Sequence, residues 1–426
     1  MKLIEEILST ENVRAALCKV IANKGAAGID GMEVTQLRDH MNANWWSIKQ
    51  SILERNYKPA PVRRVEIPKP NGGVRKLGIP TVVDRTLQQA IVQVLSPIFE
   101  QEFQECSYGF RPGRSCEQAV LKLLEYLNEG YEWIVDIDLE KFFDNVPQDK
   151  LMSYVGRVIQ DPDTESLIRK YLKSGVMENG MYHPTELGTP QGGNLSPLLS
   201  NVMLNELDKE LVNRGLRYVR YADDCVIAVG SSASANRVMH TITTWIERKL
   251  GLKVNATKTH VSRPSRLKYL GFGFYKNPQT GKWASRPHES SVEKFTRRLK
   301  KLCKRSWSIS MAKRISLLNP VIRGWVNYFA IGSMKVKMAD IDAHLRTMLR
   351  KVIWKQWKTP NKRAWGLRKL GVDNDLARLT SNCGDRYEWV VRRTCVAKYI
   401  SKEVLSRKGL VSCLDYYLIR HSLKTN

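Results

Sequence analysis

The chain has 426 residues, and its 69 lysines and arginines against 42 aspartates and glutamates give a net charge of +27. A hydrophobic fraction of 42% at this length is enough to bury a core, so a disulfide-stapled miniprotein and a disordered chain are both excluded. No apolar run approaches the roughly 18 residues of a membrane span, and Glu5 and Glu6 stand where a signal peptide would be apolar, which predicts a cytoplasmic protein with no membrane partner.

The excess positive charge is concentrated towards the end of the chain. Residues 286–426 contain 32 basic and 10 acidic residues, a net of +22, whereas the preceding 285 residues carry a net of +5. This density favours a polyanionic partner, and nucleic acid is the preferred interpretation. An anionic membrane surface is the competing interpretation.

The first 285 residues predict an irregular alternation of helices and strands. Predicted helices lie within residues 1–55, 84–104, 115–127, 148–173, 197–215 and 232–250. Predicted strands are a hairpin over 61–80 with a glycine-rich turn, a strand over 133–138, and strands over 216–221 and 225–229 that flank Ala222-Asp223-Asp224. This pattern indicates an α+β fold.

Beyond residue 286 the sequence predicts helices alone. Ser290 and Glu293 have the spacing of a capping box, and Val292, Phe295 and Leu299 then recur at helical spacing. The opposite face of this helix is uniformly basic, with Lys294, Arg297, Arg298, Lys300, Lys301, Lys304 and Arg305. Such a face is either simply solvated or lies along a phosphate backbone, and its single sign favours the second interpretation.

Carboxylates at predicted strand ends carry the chemistry. Asp223 and Asp224 form a tight turn between apolar strands, and Asp136 and Asp138 share one face of an upstream strand. An Asp-Asp pair is also common in ordinary turns. The functional interpretation is that either Asp136 or Asp138 joins the pair around two Mg²⁺ ions, with Mn²⁺ as a substitute, for nucleotidyl transfer. Alternation along a strand leaves the choice between Asp136 and Asp138 open.

Several segments, in order, resemble the motifs of reverse transcriptases encoded within bacterial group II introns. The matching segments are Lys24-Gly25-Ala26, Tyr108-Gly109-Phe110-Arg111-Pro112, Asp138 to Phe143, Gly188-Thr189-Pro190-Gln191-Gly192-Gly193, Tyr221 to Asp224, Gly251-Leu252-Lys253-Val254-Asn255, Tyr269-Leu270-Gly271-Phe272 and Ile322-Arg323-Gly324-Trp325. The resemblance covers essentially the whole chain. The chain's size and the absence of a C-terminal Cys/His module resemble the compact group IIC class.

This resemblance implies roles for the acids and for one aromatic ring. The family's first metal-binding aspartate stands five residues before an aromatic residue that excludes a ribose 2′-hydroxyl, which selects Asp138 and Phe143 and leaves Asp136 structural. Asp223 and Asp224 match the other two catalytic acids.

The resemblance also implies a nucleotide-binding set. Lys69 and Arg75, on the first hairpin, resemble the cations that bind the triphosphate. Gln191 resembles the residue beside the incoming nucleotide, and Lys258 resembles a residue that neutralises or protonates the leaving pyrophosphate. Each lysine or arginine has an ordinary surface cation as its alternative.

The implied architecture is a right-hand polymerase: fingers and palm over residues 1–285, a helical thumb or maturase domain over 286–365, and a small basic DNA-binding region over 366–426. The implied activity is RNA-directed DNA synthesis from deoxynucleoside triphosphates on an RNA template with a DNA primer. Group II intron RNA, which the protein would help to splice, and target DNA are the further implied partners. The alternative is an RNA-binding maturase with vestigial polymerase activity. The motif at Arg323 argues against a reverse transcriptase of another retroelement. Phe143 argues against an RNA-dependent RNA polymerase, because its ring would exclude a ribose 2′-hydroxyl.

Overall fold

The computed structural model describes residues 2–68, 72–189 and 192–425. The chain forms two compact units, Met1–Arg263 and Pro264–Asn426, called here the first and the second unit. The helices of the first unit are α1 (Leu3–Ile7), α2 (Thr10–Ala22), α3 (Leu37–Leu53), α4 (Val82–Glu100), α5 (Cys116–Asn128), α6 (Phe142–Asn145), α7 (Gln148–Ile159), α8 (Pro162–Leu172), α9 (Ser196–Asn213) and α10 (Ser232–Trp245), the last continued by a π-helical turn, Ile246–Leu250.

The described strands of the first unit form two four-stranded sheets. The strands are β1 (Val62–Pro68), β2 (Val74–Ile79), β3 (Trp133–Ile137), β4 (Val176–Glu178), β5 (Met181–His183), β6 (Arg217–Tyr221), β7 (Asp224–Val229) and β8 (His260–Ser262). One sheet has the order β2-β1-β4-β5, and the other, called here the central sheet, has the order β6-β7-β3-β8 with every neighbour antiparallel. The predicted α+β class and the predicted hairpin are confirmed.

Helix α9 lies in the core of the first unit. Its buried residues point in all directions and include the polar residues Ser196, Ser200, Asn201, Asn205 and Asp208. A helix that is buried on every face is surrounded by protein, and its buried polar groups need hydrogen-bond partners. The hydrogen-bond partners of Asn201 and Asp208 lie beside the candidate site described below.

The single helix predicted over residues 148–173 is wrong. The chain forms α7 and α8 instead, and Gln160 between them adopts a left-handed φ of 45°. Asp161 accepts a hydrogen bond from the Thr164 backbone N–H at 3.3 Å, and Pro162 occupies the first turn of α8. Both residues are typical of a helix start, so the local chemistry favours two helices over one.

The second unit begins with a small antiparallel sheet, β11-β10-β9, and continues as helices. Its strands are β9 (Lys268–Tyr269), β10 (Phe272–Lys276) and β11 (Trp283–Pro287). Its helices are α11 (Glu289–Leu302), α12 (Met311–Phe329), α13 (Lys335–Gln356), α14 (Pro360–Lys369), α15 (Asn374–Ser381), α16 (Tyr387–Arg393), α17 (Val396–Tyr399), α18 (Lys402–Arg407) and α19 (Cys413–Thr425). In the part of the chain that the structure describes, every element after β11 is helical, as the sequence predicts.

Helix α11 has the predicted apolar face but a different start. Phe295 and Leu299 are buried, and the Phe295 ring stacks on Trp325 of α12 with centroids 4.4 Å apart. The predicted cap at Ser290 is wrong, because the His288 ring caps the helix by accepting a hydrogen bond from the Ser290 backbone N–H at 3.2 Å.

Two findings concern the predicted organisation of the chain. The units divide between Arg263 and Pro264, so strands β9 to β11 group with the helices that follow them. The functional boundaries at residues 285 and 365 stay predictions. Among the residues that the structure describes, no helix combines the length and apolarity that crossing a membrane requires.

Candidate active site

The central sheet brings three of the predicted acids to one edge. Asp138 directly follows β3, and Asp224 is the first residue of β7. These strands are antiparallel neighbours with Ile137 opposite Cys225, so the same register extended by one residue sets Asp138 opposite Asp224. Asp223 precedes Asp224 in the turn that joins β6 to β7. The three predicted acids therefore lie at the same end of these strands.

The turn that carries Asp223 and Asp224 has an unusual backbone. It has only two residues, Ala222 and Asp223, because Tyr221 pairs directly with Asp224 across the hairpin. Ala222 is buried and has a φ of +57°, a conformation that costs energy in any residue with a side chain. The surrounding protein must hold it in this conformation.

The carboxylates of this edge repel one another. Desolvation of the carboxyl group and repulsion from Asp223, Asp136 and Asp138 raise the pKa of Asp224 to about 6, although the residue itself is exposed to solvent. Desolvation, with repulsion from Asp138, likewise raises the pKa of Asp136 to about 6, against the effect of His260 on the neighbouring strand. The repulsive part is what a bound cation would relieve.

Lys258 forms an ion pair with one of the predicted acids, Asp138. Its Nζ lies 3.2 Å and 3.4 Å from the two carboxylate oxygens of Asp138. The segment around it is fixed to the end of β3, because the Asn255 N–H donates to the Asp138 carbonyl at 2.8 Å and the Asp138 N–H donates to Thr259 Oγ1 at 3.1 Å. The role of Lys258 towards pyrophosphate stays a prediction. The partner of Lys258 in the structure is Asp138, a predicted metal ligand.

The acids suit a divalent cation whose remaining ligands are water and substrate phosphates. Among the described residues, no three His, Cys, Asp or Glu side chains are close enough to enclose a metal ion. Mg²⁺ seldom needs such a cage, because it prefers one or two carboxylates together with water and substrate phosphates. Asp138, Asp223 and Asp224 supply carboxylates whose mutual repulsion a cation would reduce.

Phe143 lies next to the glycine-rich segment that precedes Gln191. It belongs to α6, is half-buried, and contacts the buried Phe142 ring with centroids 5.3 Å apart. Its carbonyl accepts a hydrogen bond from the Thr189 N–H at 2.7 Å. A Cβ on Gly188 would lie 2.6 Å from that same carbonyl oxygen, so glycine is required for this approach.

The far side of the same segment contacts the first hairpin. A Cβ on Gly192 would lie 2.6 Å from the carbonyl oxygen of Gly78 on β2, and Gly192 has a φ of +111°. Arg75 lies on that same strand, with an exposed side chain. Lys69 and Gln191, the other predicted nucleotide-binding residues of these two segments, lie outside the described residues.

A buried network lies beneath the turn formed by Ala222 and Asp223, and the sequence did not predict it. Arg220, the residue before Tyr221, is fully buried and paired with the equally buried Asp208 of α9. Gly109 packs against the turn from the other side, where an added Cβ would lie 2.3 Å from the Ala222 nitrogen. Local sequence does not single out this pair, because β6 carries a second arginine, Arg217, and Asp208 lies among the charged residues Glu206, Lys209 and Glu210 of α9.

Two family models match the chain. The first, "Reverse transcriptase (RNA-dependent DNA polymerase)", matches residues 67–274 and so includes all the acids described above. The second, "Group II intron, maturase-specific domain", matches residues 292–371, from within α11 to just beyond α14.

Curated relatives agree with these family models. Protein YkfC of Escherichia coli (strain K12) is 33% identical, over 61% of this chain and 79% of that protein. The group II intron-encoded protein LtrA of Lactococcus lactis subsp. cremoris is 32% identical, over 64% of this chain and 56% of that protein. The putative COX1/OXI3 intron 2 protein of Saccharomyces cerevisiae (strain ATCC 204508 / S288c) is 28% identical, over 62% of this chain and 37% of that protein. The chain thus spans about half of LtrA and less of the yeast protein.

Proposed function

The chain belongs to the group II intron-encoded reverse transcriptases, and on that premise we propose that it copies RNA into DNA at the edge of the central sheet where Asp138 and Asp224 lie opposite each other. That juxtaposition is the observation on which the proposal depends. It gathers carboxylates from two strands at one solvent-accessible point, as nucleotidyl transfer requires.

In this proposal Asp138, Asp223 and Asp224 hold two Mg²⁺ ions, for which Mn²⁺ could substitute. Bound there, the ions would lower the pKa of the primer 3′-hydroxyl and stabilise the charge of the departing pyrophosphate. The protein's part is to fix the positions of the carboxylates. The hairpin turn fixes Asp223 and Asp224. Asp138 is fixed by its backbone, whose carbonyl accepts from the Asn255 N–H and whose N–H donates to Thr259 Oγ1.

The substrate is a deoxynucleoside triphosphate paired to an RNA template beside a DNA primer. Phe143 would lie under the sugar, which the contact of Thr189 with its carbonyl supports, because that contact joins the ring's helix to the predicted nucleotide segment. Arg75 is exposed and available to bind the triphosphate, together with Lys69. Gln191 would lie along the nucleotide. Lys258 would exchange its partner Asp138 for the pyrophosphate.

The second unit would bind nucleic acid. The predicted cations of α11, from Lys294 to Lys301, are all exposed, as are Lys304 and Arg305 just after it. We propose that residues 286–365 bind the template-primer duplex and the parent intron RNA, that residues 366–426 bind target DNA, and that the protein thereby supports splicing and retrohoming. Such partners would place it in the bacterial cytoplasm.

A second candidate function is intron RNA binding without polymerase activity. It shares every feature of the second unit, so the discriminating feature is the set of metal ligands. All three acids are present and lie at one sheet edge, which favours an active polymerase.

Primer extension tests the proposed function. The purified full chain is supplied with an RNA template, an annealed DNA primer, deoxynucleotides and Mg²⁺, with an EDTA-treated reaction as the control. Extension that depends on Mg²⁺ is the expected result. If the primer stays unextended while the protein still binds structured intron RNA, the maturase alternative takes its place.

Phe143→Ala is expected to relax the choice of sugar. Without the ring, a 2′-hydroxyl meets no steric barrier, and relative ribonucleotide incorporation should rise by roughly 10- to 100-fold, the range for loss of a steric contact in an apolar pocket. The measurement is the ratio of kcat/KM for a ribonucleotide and its deoxynucleotide. Phe143→Tyr keeps the ring and should keep the ratio, whereas an unchanged ratio in the alanine variant removes Phe143 from this role.

Replacing Lys294, Arg298 and Lys301 by glutamine is expected to weaken RNA binding and its salt dependence. Each lost phosphate contact lowers the slope of log K against log salt by about 0.7 to 0.9, so three contacts predict a fall of roughly 2 to 3. The matched control replaces Arg237, Arg248 and Lys249, which are equally exposed on the first unit. An unchanged slope in the α11 variant would mean that α11 is merely a solvated face, and an equal fall in both variants would mean that RNA binding does not depend on α11 in particular.

A further inference from the structure

One fully buried arginine lies directly beneath the turn that carries Asp223 and Asp224. Arg220 is the fourth residue of β6, and its guanidinium group points into the core rather than towards solvent. Its side chain and that of Asp208 are both 0% exposed, and both nitrogen–oxygen contacts of the pair are hydrogen bonds, one of them 2.8 Å from Nε to Oδ1. An ion pair this deep needs further hydrogen bonds to offset the loss of hydration.

The remaining donors of Arg220 bind three acceptors, and one of these belongs to the turn. Nη1 donates to the Ala222 carbonyl at 2.8 Å and to Asn201 Oδ1 at 3.1 Å, and Nη2 donates to Ser107 Oγ at 2.8 Å. The guanidinium is planar, so fixing it by Asp208 and Ser107 also fixes the direction in which Nη1 points. The Ala222 carbonyl is thus held by a donor that has little freedom to rotate.

The same network fixes the loop on the other side of the turn. Asn201 Nδ2 donates to the Gly109 carbonyl at 2.8 Å, and the Tyr108 N–H donates to the Arg220 carbonyl at 2.8 Å. Gly109 in turn packs on the Ala222 backbone. Ala222 is therefore held from below by Arg220 and from the side by Gly109, which accounts for its positive φ in a residue that disfavours it.

We infer that Arg220 is a positioning residue for catalysis: by holding the Ala222 carbonyl it sets the conformation of the turn, and through it the places of the Asp223 and Asp224 carboxylates. The inference rests on the proposed function, since it concerns the metal ligands named there. Folding stability alone does not explain the arrangement, because buried ion pairs are often replaceable by apolar residues without loss. An apolar residue at position 220 would fill the space but would leave the Ala222 carbonyl without its donor.

Arg220→Lys is the test variant, because lysine keeps the charge and can still pair with Asp208 but cannot span the same acceptors. Asp208→Asn is the second variant, since it keeps every atom of Arg220 but removes the charge that orients it. The matched control is Arg363→Lys: Arg363 is also buried and binds Asp385 and the carbonyl of Gly384, but these residues belong to the second unit, whereas the turn belongs to the first.

Three measurements are made on the full chain. They are the Mg²⁺ concentration for half-maximal primer extension, the dissociation constant of Mn²⁺ by electron paramagnetic resonance on the protein bound to template and primer, and the melting temperature. For Arg220→Lys and Asp208→Asn, both metal constants should rise about 10- to 100-fold, the usual effect of losing a group that orients a metal ligand. Arg363→Lys should lower the melting temperature and leave both metal constants unchanged.

Two outcomes would overturn the inference. Unchanged metal constants in the folded fraction of both test variants would reduce Arg220 to a structural role, and so would an equal rise in Arg363→Lys. Asp223→Asn, measured in parallel, separates this failure from failure of the proposed function. If that variant binds Mn²⁺ and extends primers like the unaltered chain, the metal-site assignment itself is wrong, whatever Arg220 does.

Discussion

Replacing Asp223 and Asp224 together by asparagine is expected to lower DNA synthesis on an RNA template by about 10³-fold or more. Asparagine keeps the size of each side chain and removes its charge, so the site would lose cations that contribute several kcal/mol of transition-state stabilisation, at about 1.4 kcal/mol for each factor of ten. RNA binding should be retained, because the exposed cations of α11 belong to the other compact unit. Primer extension and filter binding measure the two quantities on one preparation.

The choice between Asp136 and Asp138 provides the control for this experiment. Both residues are on the same face of β3 by strand alternation. Asp138 lies at the end of the strand, opposite Asp224, whereas Asp136 lies within the strand, opposite Val226. Asp138→Asn should therefore resemble the double variant, and Asp136→Asn should keep most of the activity. The reverse result would transfer the metal-binding role to Asp136, and full activity in the double variant would remove the site from the sheet edge altogether.

Gly109→Ala is expected to reduce the rate of synthesis by about 10²-fold without any change in a charged group. The new Cβ would lie 2.3 Å from the Ala222 nitrogen and 3.0 Å from its Cα, so the turn or the loop must shift by about an ångström. Misplacement of catalytic groups by about this distance costs roughly that factor. Overpacking at such a contact should also cost about 1–3 kcal/mol in the free energy of unfolding.

Gly230→Ala is the matched control, because an added Cβ there meets nothing within 4 Å. Steady-state kinetics and thermal unfolding are measured on both variants. Normal kcat in Gly109→Ala would mean that the loop yields to the methyl group while the turn stays in place, and the contact would then have no catalytic importance.

Local sequence pattern predicted the elements that carry the site. The strands β1, β2, β3, β6 and β7 could be identified because their signals are local. These signals are apolar strands next to acids and a hairpin with a glycine-rich turn. The family resemblance supplied the preference for Asp138 over Asp136, which strand alternation could not give. Strands β4 and β5 went unpredicted because they have three residues each, and β4 is stabilised by pairing with β1, more than a hundred residues away.

The supporting contacts could not be predicted for a different reason. The partners of Arg220 come from a helix, a loop and its own turn, and Ser107 is separated from it by 113 positions. The sequence of β6 contains two arginines, Arg217 and Arg220, and only tertiary packing decides which of them is buried and which acid it pairs with. The His288 cap of α11 was missed because a capping box at Ser290 offered an equally plausible local solution.

Three glycines near the site, Gly109, Gly188 and Gly192, share one property: the atoms nearest to their missing side chains belong to the backbone of other segments. A clash with a side chain can be relieved by a second, smaller residue in the partner, but no substitution shortens a carbonyl or removes an amide nitrogen. These positions therefore have no compensating partner mutation. In a combinatorial library of this enzyme they should remain glycine whatever residues are varied around them. The backbone contacts at these positions therefore limit which sequences can form the active site, even though none of the three glycines takes part in the reaction.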